Sequence, residues 1–399
     1  MSVIALGTYL PVWGTAATRV TLPDEDAVTL AVAAGRAALA GSGVEVRAVV
    51  FVTRDQPLLE GGNGPALLAG LGVAPDTVVV ERLGGAPAAL DAVLASAPGT
   101  LVIGADAGTG TGCGAAAALV GEGEGLELAL AAREQRSLPV RARSGDGAAH
   151  DYDDPRLTRE RGTRAALDRS GVARKAVAAV GIGAKDAAAL CEGSAPRVPT
   201  TGASAPLFAL AALADTRASG LLLAFEQAAL TAVDVTTRRA HVHRVERDPQ
   251  PLPQQRATPG PEIRISLAAY DRAFDAKVRL QGGRCPHCGT LALPPRHRCL
   301  GCGAEGDAEL AVLPRAATVY TATTVHTPVP GIATPYTIVI ADLGDTGVRL
   351  LAQVTGALPG SVAIGDQGEM VLRRVAERSG VPDYGYAFLP DHRPVEAVR

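Results

Sequence analysis

Cys285-Pro286-His287-Cys288-Gly289, followed by Cys299-Leu300-Gly301-Cys302-Gly303, decides how the last third of this chain folds. Two residues between the cysteines of each pair let both sulfurs converge on one ion from a tight turn. The glycine after each second cysteine tolerates the left-handed backbone that such a turn requires. Four thiolates fill a tetrahedral shell and leave no open position. A structural zinc on Cys285, Cys288, Cys299 and Cys302 is therefore expected. His287 and His297 lie nearby, but the cysteines already complete the shell. A redox dithiol would come as one pair beside a βαβ unit.

Reading outward from the cysteines, the chain divides into stretches of different texture. After them, ATVYTATTV, YTIVIADL, GVRLLAQVT and GEMVLRRVAE alternate or run apolar between Gly, Pro and Asp. Short strands with turn signals and no helical stretch indicate a small β-barrel. Just before the cysteines, Ala268 to Phe274 reads as a short helix. Further back, RVERDPQPLPQQRATPGPE is dense in Pro, Gln and charge without periodicity, the mark of a linker. Residues 1–236 alternate strand-like and helix-like stretches, from VIALGTYL and the helix from Asp24 to Leu39 through to ASAPLFALAALAD and SGLLLAFEQ. Two such α/β runs in tandem predict a duplicated layered fold. The expected domains are 1–236, a linker at 237–266, a helix with the metal module at 267–306, and a barrel at 307–399.

With 399 residues, 47% of them hydrophobic and 20% charged, the chain can bury more than one core. A formal net charge of -3 and aromatics at 3% argue against broad phosphate neutralisation or base stacking, so no nucleic-acid partner is expected. No apolar run suffices to span a bilayer, and the start, MSVIALGTYLPVWG, has neither a basic n-region nor a small-residue cleavage site. The expectation is a cytoplasmic protein with reduced cysteines.

The stretch from about Tyr270 to Pro390 resembles the DUF35 family through Phe274, CPHCG, LPPRHRCLGCG, Pro335-Tyr336 and GVRLLAQV. The resemblance implies a rubredoxin-like zinc ribbon followed by an OB-fold β-barrel, acting as an accessory to thiolase-like enzymes and handling acyl-CoA. The first part looks like the thiolase superfamily, nearest its 3-hydroxy-3-methylglutaryl-CoA synthase branch. The matching pieces are GTYLP, Pro23-Asp24-Glu25-Asp26-Ala27, VVFVTRDQP, GAAAALVG, HDYDDPRL and TGASAPLFALAAL.

That second resemblance implies a thiolate nucleophile at a helix start, a histidine and an acid/base carboxylate. The family's nucleophile falls within Arg82-Leu83-Gly84-Gly85-Ala86-Pro87, which holds no cysteine. Its acid/base position falls on Arg54, with Asp55 adjacent, and its histidine falls in AVGIGAKD, which holds none. Cys113 and Cys191 read as buried inert thiols, and His150 as a loop residue. The glycine run from Gly104 to Gly114 lacks the Gly-Lys-Ser/Thr of a phosphate loop and reads as a turn into a sheet. No catalytic residue is therefore expected.

Candidate acyl-CoA contacts are Arg238 and Arg239, in a basic cluster with His241, His243 and Arg244, and Tyr336 and Arg349 of the barrel. The expected function is a non-catalytic subunit of an acyl-CoA condensing or thiolytic complex, docking a thiolase-like partner, with a homodimer as another assembly. The alternatives are an active condensing enzyme with Cys113 as nucleophile, and an OB-fold nucleic-acid binder.

Overall fold

The computed structural model describes residues 2–108, 112–143, 148–152 and 154–391. Its first domain is built on a ten-stranded mixed sheet. In chain order the elements used below are β1 (Ser2–Leu10), α1 (Ala27–Leu39), β2 (Ala48–Thr53), α2 (Gly64–Leu71), β3 (Val78–Leu83), α3 (Ala86–Ala95), β4 (Thr100–Asp106) and β5 (Gly114–Gly121). They continue with β6 (Leu126–Glu134), β7 (Ala178–Val180), α4 (Ala205–Thr216), β8 (Gly220–Glu226), β9 (Ala229–Thr237) and β10 (His241–Glu246).

The sheet order is β7-β8-β9-β6-β1-β5-β4-β2-β3, with β10 added parallel to β1. The same unit occurs twice. β2 runs parallel to β4, β4 antiparallel to β5, and β5 antiparallel to β1. Likewise β7 runs parallel to β8, β8 antiparallel to β9, and β9 antiparallel to β6. A helix, α3 or α4, leads into the central strand of each copy. The expected duplication is therefore present. The second copy has no described counterpart of β3, so it is the shorter of the two.

α1 and α2 cover one face of the sheet, and α3 and α4 the other. Small residues set how closely the helices approach. A side chain at Gly7 would collide with the α1 backbone at Ala34 and Ala38. β5, GAAAALVG, is buried along its whole length, as a strand covered on both faces must be.

Residues 237–266 depart from the expected linker. β10 pairs with β1 from Ala5↔His241 to Leu10↔Glu246, and the Gln250 backbone bonds to Val12 and Gly14. HVHRVE escapes a pattern reading because the strand is only half-buried and is held mainly by main-chain pairing.

The second domain begins with α5 (Leu267–Val278). Strands β11 (Gln281–Arg284), β12 (Leu291–Ala292) and β13 (Glu309–Val312) form a three-stranded ribbon with β11 central. β13 lies beyond the expected boundary at 306. The barrel has β14 (Ala316–Val325), β15 (Tyr336–Leu343), β16 (Arg349–Gln353), β17 (Gln367–Arg378) and β18 (Val381–Pro390), ordered β16-β15-β14-β17-β18. A bridge between Val354 and Phe388 closes it, as an OB-type barrel requires.

The barrel is seated on α1 and α2. Met370 and Leu372 of β17 share one core with Val32 and Leu68. Beside that contact Arg373, whose side chain is 3% exposed, lies 3.2 Å from Glu25 and 3.7 Å from Asp24, and donates to the Tyr9 hydroxyl at 3.0 Å. Tyr9 in turn donates to Glu25. Asp26 caps α1 by accepting from the Thr29 amide at 3.0 Å, and its other oxygen accepts from the Tyr384 hydroxyl of β18 at 2.8 Å.

Replacing Arg373 by Met would leave Glu25 and Asp24 facing each other without their cation, at a cost of about 3–5 kcal/mol. Denaturant unfolding of Arg373→Met should show that loss, and protease should then release the barrel. Burial pushes the Glu25 carboxyl up from 4.5 to about 7, against the pull of Arg373. The folded chain thus binds the proton more tightly than the unfolded one, and this group's contribution weakens as pH rises from about 4.5 to 7. Glu25→Gln should reduce that fall; Asp106, raised to about 6 by burial, has the same sign and keeps part of it.

Candidate functional site

The four ribbon cysteines converge. Their sulfurs all lie within 4.8 Å of one another, with Cys285 and Cys302 3.8 Å apart and Cys288 and Cys299 3.5 Å apart. Each pair is carried on the same turn. Gly289 N–H donates to Cys285 O at 2.9 Å and Gly303 N–H to Cys299 O at 3.1 Å, with both glycines left-handed at φ 74° and 75°. The amides of Cys302 and Gly301 pull the Cys299 thiol down to about 6. Four soft sulfurs converging in this arrangement fit one tetrahedral thiophilic ion. Neither His287 nor His297 belongs to the group.

The segment where the resemblance puts a nucleophile is the entry to α3. Gly85 is the N-cap of that helix. A side chain there would run into the carboxylate of Glu226, at the end of β8. Glu226 is paired with Arg54, just beyond β2. An ion pair thus occupies the space above the α3 N-terminus, where the helix dipole favours negative charge. Sequence reasoning singled out Arg54 and missed Glu226, whose only signal is a lone acid closing an apolar strand.

The remaining candidates have other roles. Asp55 accepts from the amides of Ala107 and Gly108 at 3.1 and 2.8 Å and so ties down a loop. Cys113 and Cys191 are buried, and burial raises both thiols. His150 is exposed on a short hairpin strand, Ala149–Asp151. In the glycine run, Gly104 lies in β4 and Gly114 opens β5; residues 109–111 lie outside the described residues, as does Asp153 of HDYDDPRL.

The proposed acyl-CoA contacts do not form one cluster. Arg238 is exposed at the end of β9, 2.9 Å from Glu127, with Arg239 exposed beside it. Arg244 is paired with Asp215 and Glu246. Tyr336 begins β15, whereas Arg349 pairs with Asp342 near the other end of that strand, roughly 20 Å along it. The Arg349 guanidinium also sits 3.5 Å from the centre of the Tyr320 ring.

Comparison with known proteins agrees with the ribbon and barrel. Residues 276–307 match the family description "ChsH2, rubredoxin-like zinc ribbon domain", and residues 311–373 match "ChsH2, C-terminal OB-fold domain". A DUF35 domain-containing scaffold protein of Methanothermobacter thermautotrophicus is 31% identical over 123 residues, covering 30% of this chain and 92% of the relative. The chain belongs to the DUF35 family. A second DUF35 scaffold protein, from Methanocaldococcus jannaschii, is 37% identical over 123 residues, 30% of this chain and 86% of its own. Both relatives thus correspond to the DUF35 part alone.

Among solved structures, a chain of the Ltp2-ChsH2(DUF35) aldolase is 26% identical, covering 33% of this chain and 98% of that one, with a TM-score of 0.26. The 3-oxoacyl-(acyl carrier protein) synthase III of Pseudomonas aeruginosa PAO1 is 19% identical over 60% of this chain and 99% of its own, at TM-score 0.42. At such scores the fold assignment of the first domain rests on its strand order.

Metal analysis of the purified chain should return one equivalent of a thiophilic divalent ion. Cys302→Ser should remove most of it and lower the melting temperature of the ribbon, because breaking a closed thiolate shell forfeits binding energy that the ribbon uses to fold.

Proposed function

We propose that this DUF35 chain is a non-catalytic scaffold subunit of a cytoplasmic acyl-CoA condensing or thiolytic complex. Its first domain is a degenerate thiolase-like fold that docks a catalytically competent thiolase-like partner. Its ribbon holds a structural zinc that ties the two knuckles together, and its ribbon–barrel unit helps present the acyl thioester. The closed sulfur shell leaves no coordination position for a substrate.

The observation that carries the reading is the Arg54–Glu226 pair over the N-terminus of α3. An acyl-transferring thiolate would need that space and that dipole, and a carboxylate there opposes both the thiolate and an oxyanion by like charge. An enzyme acting through Cys113 is disfavoured, because its thiol is buried and shifted toward the neutral form. Two further observations support a scaffold: the curated relatives are named scaffold proteins, and the Ltp2-ChsH2(DUF35) structure is named as an aldolase that includes a DUF35 component. An exposed apolar strand at one end of the sheet supports the docking. β3 is one of the two outer strands of the sheet, and Val78, Val80 and Leu83 on it are 60%, 48% and 61% exposed. An apolar free edge of this kind invites a strand from another subunit.

Purification from native cells should bring down a thiolase-like protein in stoichiometric amount, and Val80→Glu should weaken that association at least tenfold. If the chain comes down alone and turns over acyl-CoA, the scaffold reading is wrong. Introducing a thiol into the nucleophile segment by Gly85→Cys should yield no acyl-enzyme in mass spectrometry, because the adjacent Glu226 carboxylate opposes a thiolate by like charge.

A further inference from the structure

Helix α5 is anchored along its C-terminal half, by Phe274, Lys277 and Val278. Val278 is 2% exposed, whereas Leu267 in the first turn is 74% exposed. Between them Ala269, Tyr270, Ala273 and Phe274 recur at helical spacing and form an apolar stripe. The stripe closes onto the barrel only in part: Phe274 reaches the shared core, and the rest stands off from the hairpin. It lines a cavity of about 300 Å³ that is bounded on the far side by Arg378 and Asp383 of the β17–β18 hairpin and by Arg264 and Ile265 before the helix. Tyr270 and Phe274 form its wall, their ring centres 6.2 Å apart.

The charge around this cavity is unbalanced. Asp383, 7% exposed, is held by Lys277 at 2.5 Å and by Arg378 at 3.0 Å, so one carboxylate answers two cations. Arg264 adds a third positive group. A cavity near the lower size limit for small-molecule sites, with an apolar wall and a net cationic rim, selects by chemistry: the wall takes hydrocarbon and the rim an anion.

We propose that the cavity beneath α5 binds an amphipathic anion, its hydrocarbon against Tyr270 and Phe274 and its carboxylate or phosphate at Arg264 and Arg378. This deepens, and rests on, the acyl-presenting part of the proposed function, and it gives that part a place distinct from Arg238, Arg239, Tyr336 and Arg349. Two sources share the ligand chemistry: a free medium-chain carboxylate, and an acyl thioester whose carrier bears phosphates.

The test is calorimetric titration of the metal-loaded full chain with octanoate, octanoyl-CoA and CoA alone. Saturable binding of an octanoyl ligand is expected, with CoA alone at least tenfold weaker. Octanoate binding as tightly as octanoyl-CoA identifies the free acid; a clear preference for octanoyl-CoA identifies the thioester. Ala273→Phe, which fills the cavity, should weaken binding at least tenfold, and Arg264→Glu should weaken it more at low salt than at high salt. Should Ala273→Phe lower the melting temperature, Tyr270→Ala serves as the second variant, with the same loss expected. Absence of octanoyl binding, equal affinity for CoA alone, or full affinity in both cavity variants would overturn the proposal. No partner is present in the titration, so failure of docking and failure of this site read out separately.

Discussion

The barrel is oriented on the first domain by one buried cation. Arg373 comes from the fourth strand of the barrel, and every acid it meets belongs to the first domain. Burying a guanidinium is costly, and the cost is met only when hydrogen-bonding groups surround it. Here Tyr9, Glu25, Asp24 and Thr355 do so together, and each of the first three sits at or near an end of β1 or α1. The arrangement is specific because no other docking of the barrel would bring the Pro23–Asp26 segment and Arg373 into register. Asp26 reinforces this specificity, since the carboxylate that caps α1 also accepts from Tyr384. A change that frays α1 therefore loosens the barrel as well.

The proposed scaffold role rests on a second packed ion pair, at the entry to α3. A nucleophile at a helix start is a strained, partly desolvated feature that works against stability. In this chain the corresponding space holds Glu226 with Arg54, a pair that places a carboxylate at the positive end of the α3 dipole and occupies the volume beside Gly85.

How much of this was legible in the sequence varied with the physics involved. The cysteine knuckles were fully legible, because metal geometry dictates spacing and the glycines that follow. The duplicated α/β run and the barrel were legible from periodicity. β10 was not, because a strand held by main-chain bonds on a half-exposed edge carries no apolar alternation; its His, Arg and Glu imitate a linker. Glu25 and Asp24 were noticed as a helix-opening acidic run, but their partner Arg373 is 348 residues or more away in sequence, and nothing local marks it. Glu226 was hidden for the same reason. Pairings between single residues distant in sequence leave no periodic trace. The candidate CoA contacts were read from a local basic cluster and from family positions in the barrel, and the structure spreads them over separate surfaces.

The relatives that match span little more than the ribbon and barrel, so in them this unit is a separate chain, whereas here it is fused to the sheet domain. Fusion by a flexible linker would only raise the effective concentration of one part near the other. The interface around Arg373 goes further, because it fixes the orientation as well as the distance. A partner that pairs with the outer edge at β3 would therefore meet the barrel at a single geometry, with no search through linker conformations. Such rigidity suits a subunit whose contribution is to place an acyl group relative to someone else's active site, since positional error of about an ångström already costs much of the benefit of proximity. The shared apolar core stabilises both halves in any case, but the buried ion pairs add a fixed orientation, and it is this orientation that suits joint action of sheet, ribbon and barrel.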